Sequence, residues 1–178
     1  YCWGGSSLFT NCIFTGNNSD AYCGGVYCVT STPTITECTF QNNNANNYGG
    51  GIALLNCVAT VSNTQLLNNV ALRGAAMSVL NSTNVNISNC TMNGNSASDL
   101  SNGVYVADSI VEFVGINILD ELDSFYASSR LMFYTDDSCN VDGDESPFDD
   151  GSTQFDIEDF SLSFWKLAVS KLAVRFNF

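Results

Sequence analysis

Apolar side chains recur along the chain with a step of 26 residues: every twenty-sixth position from Phe9 reads Phe9, Ile35, Val61, Ile87 and Phe113. A second column reads Cys12, Cys38, Thr64, Cys90 and Ile116, and a third Phe14, Phe40, Leu66, Met92 and Ile118. A polar column, Asn17, Asn43, Asn69 and Asn95, keeps the same step. Self-similarity at a fixed period of this length marks a solenoid or stacked array. Within each unit, β-branched and aromatic residues alternate with polar ones and are interrupted by Gly and Asn clusters. That is strand and turn chemistry, not a pair of amphipathic helices.

Between the first two columns stand Asn11, Glu37, Asn63, Asn89 and Gly115. Asn and Gly tolerate positive φ, so this column predicts a one-residue bend between two strands, with Glu37 as the exception. A chain that bends at the same place in every repeat is a coil. Stacked coils set equivalent residues about 4.8 Å apart, giving inward apolar ladders with rows of Asn outside. The expected fold is all-β, a right-handed parallel β-helix of about five 26-residue coils over residues 1–118; the hand follows that of parallel crossovers. A two-sheet sandwich is the alternative, but it has no reason to keep a fixed period.

Two tetrapeptide motifs alternate in this stretch. One stands as Phe14-Thr-Gly-Asn17 and Phe40-Gln-Asn-Asn43, relaxing to Leu66-Leu-Asn-Asn69 and Met92-Asn-Gly-Asn95. The other stands as Gly24-Gly25-Val26 and Gly50-Gly51-Ile52, relaxing to Ala75-Ala76-Met77 and Asn102-Gly103-Val104. In this the chain resembles the repeats of the polymorphic outer-membrane protein family and similar surface β-helices. The resemblance covers about two thirds of the chain. It implies a secreted passenger or an adhesin-like stalk.

Composition changes the picture after Ile118. Residues 1–118 hold 20 Asn and five acids, whereas residues 119–178 hold two Asn and the other 13 acids. Residues 119–159 are therefore expected to form an acidic loop region. Its carboxylates around Gly, with Asn140, Asp142, Asp144 and Asp149 as candidate ligands, resemble a calcium loop. Ser138 stands where that pattern wants an acid and Pro147 interrupts it, so a solvated acidic loop is the competing reading. Residues 160–178 bring three of the five bases, Lys166, Lys171 and Arg175, among apolar side chains. This segment reads as a cap on the open end of the coil or a docking segment, since an uncovered coil end is a free strand edge.

Eight Cys, six of them before residue 60, favour an oxidising compartment. Cys2 and Cys28 are one repeat apart, as are Cys12 and Cys38. They are candidates for rung-to-rung disulfides or for a buried thiol ladder. Four sequons, at Asn17, Asn81, Asn86 and Asn89, are glycan acceptors on a eukaryotic secretory route. Tyr1 is not Met and no signal-like segment follows it, so the chain is expected to be a processed product or a piece of something longer.

A net charge of −13 disfavours nucleic acid, anionic membrane and pectin-like substrates. The repeat region has Arg73 as its single base, and the chain has no His. Polysaccharide-cleaving β-helices need such groups to move a proton and neutralise substrate, so catalysis is not expected. The expected function is a non-catalytic extracellular structural or surface-adhesion module that assembles with copies of itself or with other surface or filament chains. The alternatives are a calcium-dependent carbohydrate-binding module on neutral glycans or a polysaccharide-active β-helix enzyme.

Overall fold

The computed structural model describes residues 1–119 and, beyond them, the backbone of four short strands, 125–127, 131–134, 140–141 and 154–157. Parallel strands stack as a β-solenoid of about four turns of 26 residues within residues 1–119. No helix occurs among the described residues. Each turn visits four sheets. Sheet A holds Cys2–Trp3, Val26–Val29, Ile52–Leu55, Met77–Leu80 and Val104–Ala107, continued by Phe125–Ala127. Sheet B holds Leu8–Thr10, Thr34–Thr36, Thr60–Ser62, Val85–Ser88 and Val111–Val114, continued by Leu131–Tyr134. Sheet C runs from Ile13–Thr15 through Thr39–Gln41, Gln65–Leu67, Thr91–Asn93 and Asn117–Leu119 to Asn140–Val141. Sheet D is narrower: Asn18–Ser19, Asn44–Ala45, Val70–Arg73 and Ser96–Leu100.

The apolar columns are strand registers. Phe9, Ile35, Val61, Ile87 and Phe113 are successive partners in sheet B, and Phe14, Phe40, Leu66, Met92 and Ile118 in sheet C. Except in the first coil these side chains are fully buried; each contributes about 1.5–3 kcal/mol by leaving water. Phe14 and Phe40 stack with centroids 4.7 Å apart, and like side chains on neighbouring rungs gain this contact wherever both are aromatic.

The bends fall where the polar column places them. Asn11, Glu37, Asn63, Asn89 and Gly115 have φ of 53, 54, 50, 51 and 59°. Glu37 adopts the left-handed conformation despite its side chain, because coils above and below impose it. Three further left-handed columns turn the other corners: Gly16, Asn42, Asn68 and Gly94 between sheets C and D, Gly49, Gly74 and Ser101 between sheets D and A, and Gly4, Thr30, Asn56, Asn81 and Asp108 after sheet A. The Gly-Gly motif lies where neighbouring backbones approach closely, since a Cβ on Gly25 would sit 2.3 Å from the carbonyl oxygen of Gly51.

The step is not uniform at every corner. Sheet A pairs Val26 with Ile52, Ile52 with Met77 and Met77 with Val104, so its third turn is one residue short and its fourth one long. The extra residue is taken up in sheet D, where Ala71 pairs with Ala97 but Arg73 with Leu100. A bulge of this kind absorbs a length change at a sheet margin and leaves sheets B and C in register. The region expected to be an acidic loop, 119–159, contributes four short strands. The last, Gln154–Ile157, pairs antiparallel with Leu131–Tyr134. The segment expected as a cap, 160–178, lies outside the described residues.

Candidate functional surface

The corners are lined by polar ladders inside the coil. The Asn column points inward, correcting the expectation of outward Asn rows: Asn43, Asn69 and Asn95 are buried. The Asn69 amide nitrogen donates to Phe40 O (3.0 Å) and Asn95 Oδ1 (3.0 Å), while its Oδ1 accepts from the Asn43 backbone and side-chain nitrogens (both 3.1 Å). The reason is that backbone groups at a turn lose their sheet partners and must be satisfied, and a carboxamide supplies both acceptor and donors. After sheet A a second ladder runs through Ser31, Cys57, Ser82 and Ser109.

The cysteine column has the same use. The Cys12, Cys38 and Cys90 thiols donate to the carbonyl two residues earlier at 3.2–3.3 Å, and Thr64 does so with its hydroxyl at 2.8 Å. Thiol and hydroxyl interchange because both are small donors. The seven described cysteines are free, including Cys2 with Cys28 and Cys12 with Cys38. Of the two readings, rung-to-rung disulfides and a thiol ladder, the structure gives the ladder: in-register parallel side chains stay about one strand spacing, ~4.8 Å, apart, beyond the Cβ separation of a bridge. Burial pushes the Cys23 and Cys28 thiols up to about 12 and Cys90 to about 11, and raises Cys38 as well. Thiols held protonated in this way are poor nucleophiles.

Outside, the middle coils of sheets B and C present polar rows, which begin at exposed Leu8 and Ile13 in the first coil and reach Glu112 beyond Asn86. Thr34, Thr60 and Asn86 are in register on sheet B, as are Thr36, Ser62 and Ser88, with Ser62 Oγ donating to Thr36 Oγ1 at 3.1 Å. Thr39, Gln65, Thr91 and Asn117 continue the pattern on sheet C. Beside this face, Ser6, Thr30, Thr32 and Asn56 line a shallow groove of about 450 Å³. The four sequon residues Asn17, Asn81, Asn86 and Asn89 are all exposed, and Asn86 points away from its buried neighbours Val85 and Ile87 as expected. The Asn17 amide also starts the interior ladder, donating to Asn43 Oδ1 at 2.8 Å.

A feature the sequence reading missed lies over sheet A. Tyr22 and Tyr48 stack with centroids 6.1 Å apart, and Tyr22 stacks on Tyr27 at 5.6 Å. Tyr1 meets Tyr27 edge-on at 5.5 Å, and Tyr48 lies 5.9 Å from Tyr105. The signal was present, since Tyr1 and Tyr27, like Tyr22 and Tyr48, are one repeat apart. Arg73 takes the next place in the Tyr22–Tyr48 column, bridged to Tyr48. Its guanidinium lies 5.9 Å from the Tyr48 and Tyr105 rings and bonds Asp99 Oδ2 at 2.7 Å. That bond holds the Arg73 pKa above its ordinary value. Both partners are about one-third exposed or more, so the pair contributes at most about 1 kcal/mol. Partial burial, followed by the neighbouring Tyr22 and Tyr1 phenols, raises the Tyr27 pKa.

Of the candidate calcium ligands, Asn140 lies in the strand beside Asn117, whereas Asp142, Asp144 and Asp149 are outside the described residues. Among the described residues no three Asp, Glu, Cys or His side chains converge as a metal site. No helix among them is long and apolar enough to cross a membrane. Comparison with family models, with curated proteins and with solved structures finds no match to this chain.

Proposed function

We propose that the chain is a non-catalytic structural or surface-adhesion module, displayed outside the cell, that packs against other copies of itself or other surface chains. The observation that carries this reading is the outward array on sheet B: two columns of Thr, Ser and Asn set at the strand spacing across three consecutive coils. A flat face with donors and acceptors at a fixed spacing matches a second such face over a large area, and its uncharged side chains avoid the repulsion that a net charge of −13 would otherwise impose. The resemblance to surface β-helices and the four exposed sequons support the extracellular setting. Neutral glycans suit the same face by the same hydrogen-bonding chemistry.

Light scattering on the native protein, with and without a calcium chelator, tests the reading. Large ordered particles that survive chelation are expected, and they should be lost when Thr34, Thr60 and Thr36 are replaced by Lys, which sets like charges on both faces of any contact. A monomer under all conditions would overturn assembly. Particles that dissolve on chelation would place calcium between the copies.

A further inference from the structure

We propose that the tyrosine row over sheet A is a site of oxidative cross-linking, at which a one-electron oxidant of the haem peroxidase class with hydrogen peroxide joins Tyr22 to Tyr48 or Tyr27 as dityrosine. Three observations carry this inference. The Tyr48 backbone N–H donates to the Tyr22 carbonyl at 3.0 Å, so the two residues are locked as neighbouring rungs. The Tyr22 ring lies within 10° of parallel to Tyr48 and 16° of parallel to Tyr27, with centroids 6.1 and 5.6 Å away. Tyr22 is 47 % exposed, so an oxidant reaches it at the surface.

The arrangement does not suit the other common use of surface aromatics, the stacking of a sugar. A pyranose needs a free ring face, and Tyr22 has near-parallel rings beside it on two sides. Coupling needs the opposite: two phenols held together before either is oxidised. Each of the two phenols gives one electron and its hydroxyl proton, and hydrogen peroxide takes both pairs to become two waters. The phenoxyl radicals join through their ortho carbons. The two ortho hydrogens then move to the oxygens, restoring both hydroxyls, so the chain has lost two hydrogen atoms and gained one carbon–carbon bond. Tyr22 to Tyr48 ties the first coil to the second, and Tyr22 to Tyr27 closes the loop at its exit. This chemistry does not depend on the assembly reading, since both partners belong to one molecule.

The test is treatment of the full chain at low concentration with a haem peroxidase and limiting peroxide. Dityrosine fluorescence, intact mass and peptide mapping are then compared for the native and the urea-unfolded protein. The expected result is a monomer lighter by two hydrogens, with cross-linked peptides joining Tyr22 to Tyr48 or Tyr27. Their yield should fall at least about tenfold in urea, because a pre-held pair reacts without the entropy cost of encounter. In Tyr22→Phe these peptides should vanish, while Tyr105→Phe should leave them in place. The proposal is overturned if the native protein yields only links between molecules, links that avoid Tyr22, or equal yields folded and unfolded. The wild-type mapping decides this even if a variant fails to fold.

Discussion

Replacing Asn69 by Ala tests whether the interior ladder holds the coils together. The substitution removes four hydrogen bonds: two donated by Asn43 to Oδ1, and two donated by the amide nitrogen to Phe40 O and Asn95 Oδ1. The Asn43 side chain keeps its bond to Phe14 O, and Asn95 Oδ1 keeps the backbone N–H of residue 69. The Asn43 backbone N–H loses this acceptor while buried. One orphaned buried donor costs about 1–3 kcal/mol, and with the other lost bonds the total is about 3–5 kcal/mol. Asn17→Ala, on the exposed first coil, loses only the side-chain bond to Asn43 and should cost about 1 kcal/mol. In urea denaturation the Asn69→Ala midpoint should fall by roughly 2 M, taking a slope of ~2 kcal/mol/M. Asn69→Asp should fail in a pH-dependent way. Its oxygens would face Phe40 O and Asn95 Oδ1, so folding raises its pKa, and stability is lost as pH climbs past the unfolded value. An Asn69→Ala cost below about 1 kcal/mol, or one equal to that of Asn17→Ala, would refute the ladder as a source of stability.

Other substitutions probe the corners and the thiols. Glu37 is exposed and held at φ 54°, so Glu37→Asn should stabilise by about 0.5–1 kcal/mol as the left-handed penalty is relieved; an unchanged thermal midpoint would count against strain at that bend. Gly25→Ala should cost upwards of about 2 kcal/mol, because the new Cβ at 2.3 Å from Gly51 O meets backbone that cannot yield locally; a neutral result would show that the first coil shifts freely. Ser78 is buried and its Oγ has no partner, so Ser78→Ala should be neutral or gain about 1 kcal/mol, whereas a clear loss in urea melts would reveal a missed bond. The Cys23, Cys28 and Cys90 thiols keep their protons in the fold to about 12, 12 and 11, against an ordinary 9.0. The unfolded chain therefore sheds protons first, and stability should be full below pH 9 and fall between pH 9 and 12, by up to about 1.4 kcal/mol per pH unit for each thiol. Cys90→Val should flatten that slope, and a slope unchanged by it would assign the loss to other groups.

Much of this protein is readable without its structure. The 26-residue columns from Phe9 and Phe14 are the strand registers of sheets B and C, because stacked coils must bury like positions over like. The bend column follows for the same reason, Asn11 and Gly115 being residues that accept positive φ. What the period could not convey is direction and distance. A polar column looks the same whether it faces water or the interior, and only the tertiary structure turns Asn69 inward, where the corner's backbone groups need a carboxamide. Equal spacing marks Cys12 and Cys38 as neighbours, but whether they bridge depends on parallel side chains remaining a strand spacing apart, with each thiol bonded to a carbonyl of its own corner. The tyrosine row unites two repeat columns, Tyr1, Tyr27 and Tyr105, the last standing three repeats beyond Tyr27, and Tyr22 with Tyr48. Periodicity in a sequence records which residues share a column. The folding of each corner over the neighbouring sheet decides which columns meet, because that contact lies across the coil and not along it.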